Sequence, residues 1–206
     1  KLDKFDIADA TAAELAVQAI TSRDLAVKSV EAKPGTRNPS PPFMTSTLQQ
    51  EASRKFGFGA RQTMQVAQRL YEAGHITYMR TDGVTMAREA IAAIRDHVKS
   101  EFGPNYMPAA PREYASKAKN AQEAHEAIRP TEISRHPDEM RAFLDHDQSR
   151  LYELIWKRTM ACQMADAELE RTIAKIKVST NNEELTAQGE VLKFDGFLKV
   201  YREDRD

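Results

Sequence analysis

Ten consecutive residues, Lys33-Pro34-Gly35-Thr36-Arg37-Asn38-Pro39-Ser40-Pro41-Pro42, constrain this chain more than any other stretch. Each proline fixes φ and removes an amide donor, so neither a helix nor the interior of a sheet is expected to continue through them. Before the run, Leu15, Ala16, Ala19 and Ile20 fall at helical spacing, and Leu25-Ala26-Val27-Lys28-Ser29-Val30 alternates as a half-buried strand does. After the run the spacing is helical again, and a domain boundary is expected at the prolines.

Beyond that boundary, Thr45-Ser46-Thr47 can cap a helix reaching Phe56, and Gly57 and Gly59 stop it. A second helix from Ala60 to Ala73 would bury Met64, Ala67, Leu70 and Tyr71 on one face. Gly74 ends it, Ile76-Thr77-Tyr78-Met79 is β-prone, and Asp82-Gly83 turns into a third helix burying Ala90, Ile91, Ile94, Val98 and Phe102. That order predicts a winged-helix-like arrangement. Polar residues 104–119 read as loop, a short helix is expected over 123–128, and a long one over 137–164 with Leu151, Leu154, Ile155, Met160 and Ala161 inside. From Glu168 the period becomes two, in residues 172–178, 185–191 and 197–200, which predicts three antiparallel strands. The expected class is α+β: a helical winged-helix-like domain, residues 42–164, inserted into an antiparallel β domain built from residues 1–41 and 165–206.

Composition excludes several classes. With 206 residues, 41% hydrophobic, the chain can bury a core and is not expected to be disordered. Thirty Lys and Arg against thirty-one Asp and Glu leave a net charge of -1, so charge does not advertise a nucleic-acid binder. Cys162 is the single cysteine and can form neither an intramolecular disulfide nor a zinc cluster. No apolar run approaches the roughly 20 residues of a membrane span, so the chain reads as cytosolic, with no membrane partner. It opens on Lys1-Leu2-Asp3 and stops at Arg202-Glu203-Asp204-Arg205-Asp206, and both ends read as cut from something longer.

Two clusters carry chemistry. On a strand, Tyr78 and Arg80 would leave from one face, placing a phenol beside a guanidinium. A tyrosine is a poor nucleophile at its free pKa of about 10, but an adjacent cation favours the phenolate, and arginine's planar fork matches two phosphate oxygens. On spacing alone, a packed tyrosine and a solvated arginine are the commoner outcome. In Gln122-Glu123-Ala124-His125-Glu126-Ala127-Ile128-Arg129-Pro130, a helix would put His125 and Arg129 on one face, a proton-exchanging group beside an anion holder. His-Glu-x-x-Arg is not the zinc pattern His-Glu-x-x-His, because a guanidinium does not ligate a metal.

Four segments in order carry a resemblance: Pro42-Phe43-Met44-Thr45-Ser46-Thr47-Leu48-Gln49-Gln50-Glu51-Ala52, Ala67-Gln68-Arg69-Leu70-Tyr71-Glu72-Ala73-Gly74, Ile76-Thr77-Tyr78-Met79-Arg80-Thr81-Asp82, and Ala124-His125-Glu126-Ala127-Ile128-Arg129-Pro130. Together they resemble the bacterial type IA DNA topoisomerases. The likeness continues through Leu151-Tyr152-Glu153-Leu154-Ile155-Trp156 and Ala161-Cys162-Gln163-Met164 to Phe194-Asp195-Gly196-Phe197, nearly the whole chain.

The resemblance implies that Tyr78 is a nucleophile leaving a phosphotyrosine at a 5′ DNA end, that Arg80 steadies the scissile phosphate, and that His125 assists through hydrogen bonding and proton movement. It implies DNA-holding surroundings at Gln50, Thr81, Asp82, Glu126 and Arg129, with single-stranded DNA and the remaining domains of a parent enzyme as partners, in the bacterial cytoplasm and nucleoid. Between residues 50 and 82, Arg54, Lys55, Arg61, Arg69 and Arg80 outnumber Glu51, Glu72 and Asp82, and Phe56 and Phe58 could stack on bases or pack in a core. The family's Mg²⁺ site, with a further glutamate and lysine, is implied for an N-terminal domain preceding Lys1, so no metal is expected here and the chain alone is expected not to relax DNA. Asp145-His146-Asp147 reads as solvated helix surface rather than a substitute. Tyr78, buried against that domain in the family, is expected to be exposed here. Two alternatives stand beside this: a winged-helix binding module in which Tyr78 and Arg80 merely contact phosphate, and a tyrosine recombinase, whose His-x-x-Arg spacing differs from His125-x-x-x-Arg129.

Overall fold

The computed structural model describes residues 9–114, 126–179 and 184–202. The chain divides into two compact units, each assembled from separated stretches of sequence: Lys1–Gly35 with Glu168–Lys193, and Thr36–Ala167 with Phe194–Asp206.

The first unit holds α1 (Ala10–Thr21) and most of a three-stranded antiparallel sheet, β1 (Leu25–Arg37), β2 (Ala167–Val178) and β3 (Glu184–Phe194), in the order β1-β2-β3. The Asp9 carboxylate accepts from the Ala12 N–H at 2.8 Å and starts α1. The expectation of a half-buried first strand is not met: β1 is exposed along almost its whole length, with Val27 and Val30 open to solvent. Nor does the strand stop at the proline run. It continues through Pro34 to Arg37, because β1 is an edge strand with one neighbour, where a missing N–H need not cost a ladder bond.

The second unit contains α2 (Thr45–Phe56), α3 (Ala60–Glu72), α4 (Arg88–Phe102), α5 (Pro137–Met140) and α6 (His146–Ala161). α6 is its axis: Leu151, Tyr152, Leu154, Ile155, Trp156 and Met160 are all buried, and α2, α3, α4 and α5 pack around it. The expected long helix over 137–164 is instead two helices. Asp145 breaks it, taking up a β conformation and accepting from the Gln148 N–H at 2.8 Å while Gln148 Oε1 accepts from the Asp145 N–H at 3.1 Å, a reciprocal cap that begins α6. Asp145-His146-Asp147 is thus a helix start rather than a helix interior. The expected third strand at 197–200 is a 3-10 turn, Gly196–Lys199, whose Phe197 is buried in the core.

One polar cluster lies inside this core. The Arg158 guanidinium sits between the rings of Phe43 and Tyr201, at 4.6 and 4.4 Å from their centroids. It donates to the Tyr201 hydroxyl at 3.1 Å, and that hydroxyl donates to Glu51 at 3.0 Å. The cluster ties α2 to α6 and to the C-terminal segment. Cys162 is buried, and burial pushes its thiol pKa up to about 12, so it behaves as a packing residue. Among the described residues no helix is long and apolar enough to cross a membrane.

Candidate active-site tyrosine and its cleft

Six tyrosines stand in the chain, and their surroundings separate them. Tyr114, Tyr152 and Tyr201 donate to the carbonyl of Cys162, the carbonyl of Arg135 and the carboxylate of Glu51, and burial pushes all three phenols up, Tyr152 to about 12. Tyr106 donates to Asp195 at 2.8 Å. Tyr71 and Tyr78 remain, 40% and 44% exposed, with their rings 5.3 Å apart edge to face. Among the described residues neither hydroxyl makes a hydrogen bond, so only these two phenols are free to meet a large substrate.

The segment bearing Tyr78 is fixed from both sides. Gly74 follows α3 with φ +77°, a conformation that opens the way for the His75 N–H to reach the Leu70 carbonyl at 2.9 Å and turn the chain out of the helix. The expected strand does not form after this turn: Ile76 makes one isolated antiparallel bridge to Pro130, and residues 77–82 form no ladder, the chain bending at Thr77, Met79 and Arg80. Burial alternates only from Tyr78 onward: Met79 and Thr81 are buried whereas Tyr78, Arg80 and Asp82 are exposed, and the buried Ile76 falls outside that pattern. Thr45, at the first turn of α2, donates to the Met79 carbonyl at 2.7 Å and accepts from the Thr81 N–H at 2.9 Å. It therefore does not cap α2 but pins this segment; Thr47 accepts from the Met44 N–H at 3.1 Å and closes the helix start. On the other side the Thr77 hydroxyl donates to the Ala127 carbonyl at 2.7 Å, and the Thr77 N–H donates to the Arg129 carbonyl at 2.9 Å. The sequence motifs far apart in the chain thus meet around Tyr78 through backbone-directed hydrogen bonds.

The fourth motif differs from expectation. Residues 126–130 are extended, with Ile128 bridged to Phe43 and Pro130 to Ile76, so the expected helix over 123–128 does not include them. Pro130 and two bridge partners hold this stretch in β geometry. Arg129 turns its fork onto Glu126, Nε to Oε1 at 2.7 Å and Nη2 to Oε2 at 3.0 Å, and Glu126 also accepts from the Ala87 N–H at 2.9 Å. This pair braces the loop and is already mutually neutralised. His125 lies outside the described residues.

Arg80 opens onto a cleft of about 910 Å³ running along α3, lined also by Gln49, Arg61, Gln62, Gln65, Gln68 and Arg69, with Asp147 at one wall. Gln62 donates to Asp147 at 3.1 Å, and Arg69 pairs with Asp145 at 3.2 Å. The lining is a set of amide and guanidinium donors, suited to phosphate oxygens and base edges. Gln50 faces a smaller cavity beside Glu51 and Arg158 instead, so its neighbour Gln49 is the residue brought to Arg80. Thr81 is buried and its hydroxyl accepts from the Gly83 N–H at 3.0 Å, whereas Asp82 is exposed. Tyr71 was expected on the buried face of α3; that face is Thr63, Val66, Ala67 and Leu70, which turns Tyr71 outward to Tyr78. A helical wheel drawn through Thr63 rather than Met64 would have found both Tyr71 and the Gln65–Arg69 side. Phe58 is buried and Phe56 half-buried beneath the Arg150 guanidinium, so core packing takes them.

His75, three residues before Tyr78, is held below the usual imidazole range, first by burial and then by the Arg135 charge. Its Nδ1 is buried without a partner among the described residues. Also among them, no three His, Cys, Asp or Glu side chains converge as a metal cage.

Comparison with known proteins gives a consistent match. A family model described as DNA topoisomerase matches residues 1–206. DNA topoisomerase 1 of Zymomonas mobilis is 54% identical over 206 residues, all of this chain but 17% of the relative. That of Rickettsia felis is 50% identical over 215 aligned positions, covering all of this chain and 28% of the relative, and that of Streptomyces coelicolor is 53% identical over 192, 91% of this chain and 20% of the relative. The solved structure of full-length topoisomerase I from Thermotoga maritima superposes with a TM-score of 0.82 at 33% identity, covering all of this chain and 34% of that one.

Proposed function

Because this chain belongs to the bacterial type IA DNA topoisomerase family, of whose curated relatives it spans 17% to 28%, we propose that it supplies the nucleophile with which a longer enzyme cuts and rejoins one DNA strand to relax supercoils. Tyr78 is that nucleophile. Its phenolic oxygen, having given up its proton, forms a bond to phosphorus; the bond from phosphorus to the 3′ oxygen breaks, and that oxygen leaves as a 3′ hydroxyl after gaining a proton. The product is a 5′-phosphotyrosine, a diester like the one it replaced, so the same hydroxyl reverses the step without ATP. Arg80, exposed on the same side of the segment, neutralises the non-bridging oxygens. His125 moves a proton at the tyrosine or the 3′ oxygen. Gln50, Thr81, Asp82, Glu126 and Arg129 form the surroundings, with Glu126 and Arg129 acting as the brace that holds Thr77.

The observation that carries this reading is the separation of the tyrosines: Tyr78 is exposed and unbonded among the described residues beside an exposed arginine, on a segment anchored at both sides. The cleft along α3 is the place for a single strand, and we read the α2–α3 pair as winged-helix-like. Between α3 and α4 the described residues form one bridge and no strand hairpin, so the likeness extends to the helix pair rather than to a wing. The family resemblance implies Mg²⁺ in another part of the parent, and no step above passes through it. The cytoplasm and its nucleoid are the expected location.

The test is a denaturing gel of end-labelled single-stranded oligonucleotide with Mg²⁺, using this chain alone, this chain with the remaining domains of the parent, and the same mixture carrying Tyr78→Phe. A covalent adduct at the 5′ side of the break is expected only in the second lane. An adduct that survives Tyr78→Phe, or none from a folded mixture that binds DNA, would leave a binding module as the better account.

A further inference from the structure

At the opposite end of α2 from the Tyr78 segment lies a second cavity of about 360 Å³, at the junction of the α2 C-terminus, α6 and the residues following the 3-10 turn. Thr45 at the start of α2 holds Met79 and Thr81, whereas Lys55 near its end lines this cavity. Ten residues at about 1.5 Å each separate the two places by roughly 15 Å along the helix. The cavity is strongly cationic: Lys55, Arg150, Lys157, Lys199 and Arg202 line it against one carboxylate, Glu153. That carboxylate pairs with Lys157 at 2.7 Å and with Arg141 at 3.2 Å, so Lys157 is engaged too and the lining still keeps an excess of positive charge.

The arrangement suits a chain of phosphates better than a single anion. Arg150 and Lys157 are seven residues apart on α6, hence on one face and about 10.5 Å apart along the helix, too far for both to hold one phosphate. The Arg150 guanidinium is stacked on Phe56, 4.4 Å from the ring centroid, with Phe58 at 5.5 Å, which fixes its plane and leaves its N–H edges to face an anion. Lys199 and Arg202 are exposed on the facing segment, and Lys199 lies 4.0 Å from Asp195, too loosely paired to be withdrawn.

We propose that this cavity is a second DNA-backbone site, separate from the cleavage site, that grips the phosphates of the same strand away from Tyr78. The proposal rests on the reading of DNA as substrate but not on Tyr78 chemistry. It makes affinity for a long strand depend on charges at the far end of α2, while the scissile phosphate is positioned at the near end.

The experiment is fluorescence anisotropy of a 5′-fluorescein single-stranded oligonucleotide of about 30 nucleotides, titrated with this chain over a salt series. Wild type is compared with Lys199→Gln/Arg202→Gln and with the triple variant that adds Arg150→Gln, circular dichroism confirming that each is folded. The triple variant is expected to bind about tenfold more weakly at low salt, with the log–log salt slope shallower by about two, near 0.7 for each lost phosphate contact on a single strand. The double variant, which keeps the Arg150 stack, guards against a folding artefact and should show an intermediate loss. In the full-length parent, the triple variant should still form the Tyr78 adduct with saturating oligonucleotide. Folded variants with wild-type affinity and slope would overturn the second site. So would displacement of the oligonucleotide from wild type by inorganic tripolyphosphate at equal phosphate concentration, which would mark a small-anion pocket. Loss of the adduct in wild-type parent, with the binding differences intact, would instead remove the cleavage reading and leave this one standing.

Discussion

The two units are held together by different physics. In the helical unit, Phe43, Leu48, Leu70, Ile76, Met79, Leu151, Ile155 and Met160 are almost wholly withdrawn from water and pack into one cluster. In the sheet unit, among the described residues, only Leu169 and Val178 are buried, whereas Leu25, Val27, Val30, Val191 and Leu192 lie open. None of the cluster's members belongs to the sheet unit, which relies on its ladder and on surface ion pairs such as Lys28 with Glu184, Arg171 with Glu190 and Lys193 with Glu170. Such pairs are weak and screened by salt. The residues proposed to act on DNA, Tyr78 and Arg80, lie on the unit with the core, where packing fixes positions that exposed strands do not.

Removing the core's largest member should have the largest effect. Trp156 is buried and donates to the Ile133 carbonyl at 2.8 Å, so Trp156→Ala should cost about 4 kcal/mol in denaturant unfolding. If it cost no more than a sheet substitution, the contrast between the units would be wrong. Next comes Gly196, with φ +49° and the position of an added Cβ only 2.3 Å from the Asp166 carbonyl oxygen and 2.6 Å from that of Ala165. Gly196→Ala should therefore cost about 3 kcal/mol, combining left-handed strain with a backbone clash, and should lower the same transition as Trp156→Ala.

A smaller effect sharpens the comparison at the site itself. The His75 pKa is depressed below its ordinary 6.5, so the unfolded chain binds a proton more readily than the folded one. The contribution is fully present above pH 6.5 and is lost as pH falls through the lower folded value. His75→Gln should flatten the acid side of the stability–pH curve, and an unchanged curve would place the titration elsewhere. The smallest effect belongs to the sheet: Val27, 64% exposed, should tolerate Val27→Ser within about 0.5 kcal/mol by thermal unfolding of this chain.

Local pattern made much of this legible. The glycines and capping residues placed α2 and α3 to within a residue, because helix ends are decided by short-range conformational preference and hydrogen bonding. The exposure of Tyr78 and Arg80 on either side of a buried Met79 was also legible, although the chain bends there and forms no strand. Errors arose where a distant partner decided the outcome. The helix expected over 123–128 does not take in residues 126–128, because Phe43 and Ile76 bridge Ile128 and Pro130. Tyr71 read as a core residue, since periodicity alone leaves the angular position of a helix face uncertain by about one residue. The proline run looked like the end of a strand and is crossed by one, because an edge position relieves proline of its penalty.

By itself, then, the sequence determined the α+β class, the boundaries of α2 and α3 and, through four motifs in order, the family. These depend on residue type and near-neighbour spacing, which the chain carries in one dimension. The tertiary structure decided which two of six tyrosines stand exposed with no hydrogen bond from the hydroxyl, that Thr45 and residues 127–129 pin the Tyr78 segment from far away in sequence, and that five cations from three separate stretches meet at the far end of α2. Those facts are consequences of burial and of long-range hydrogen bonds, whose partners are chosen only when the core closes.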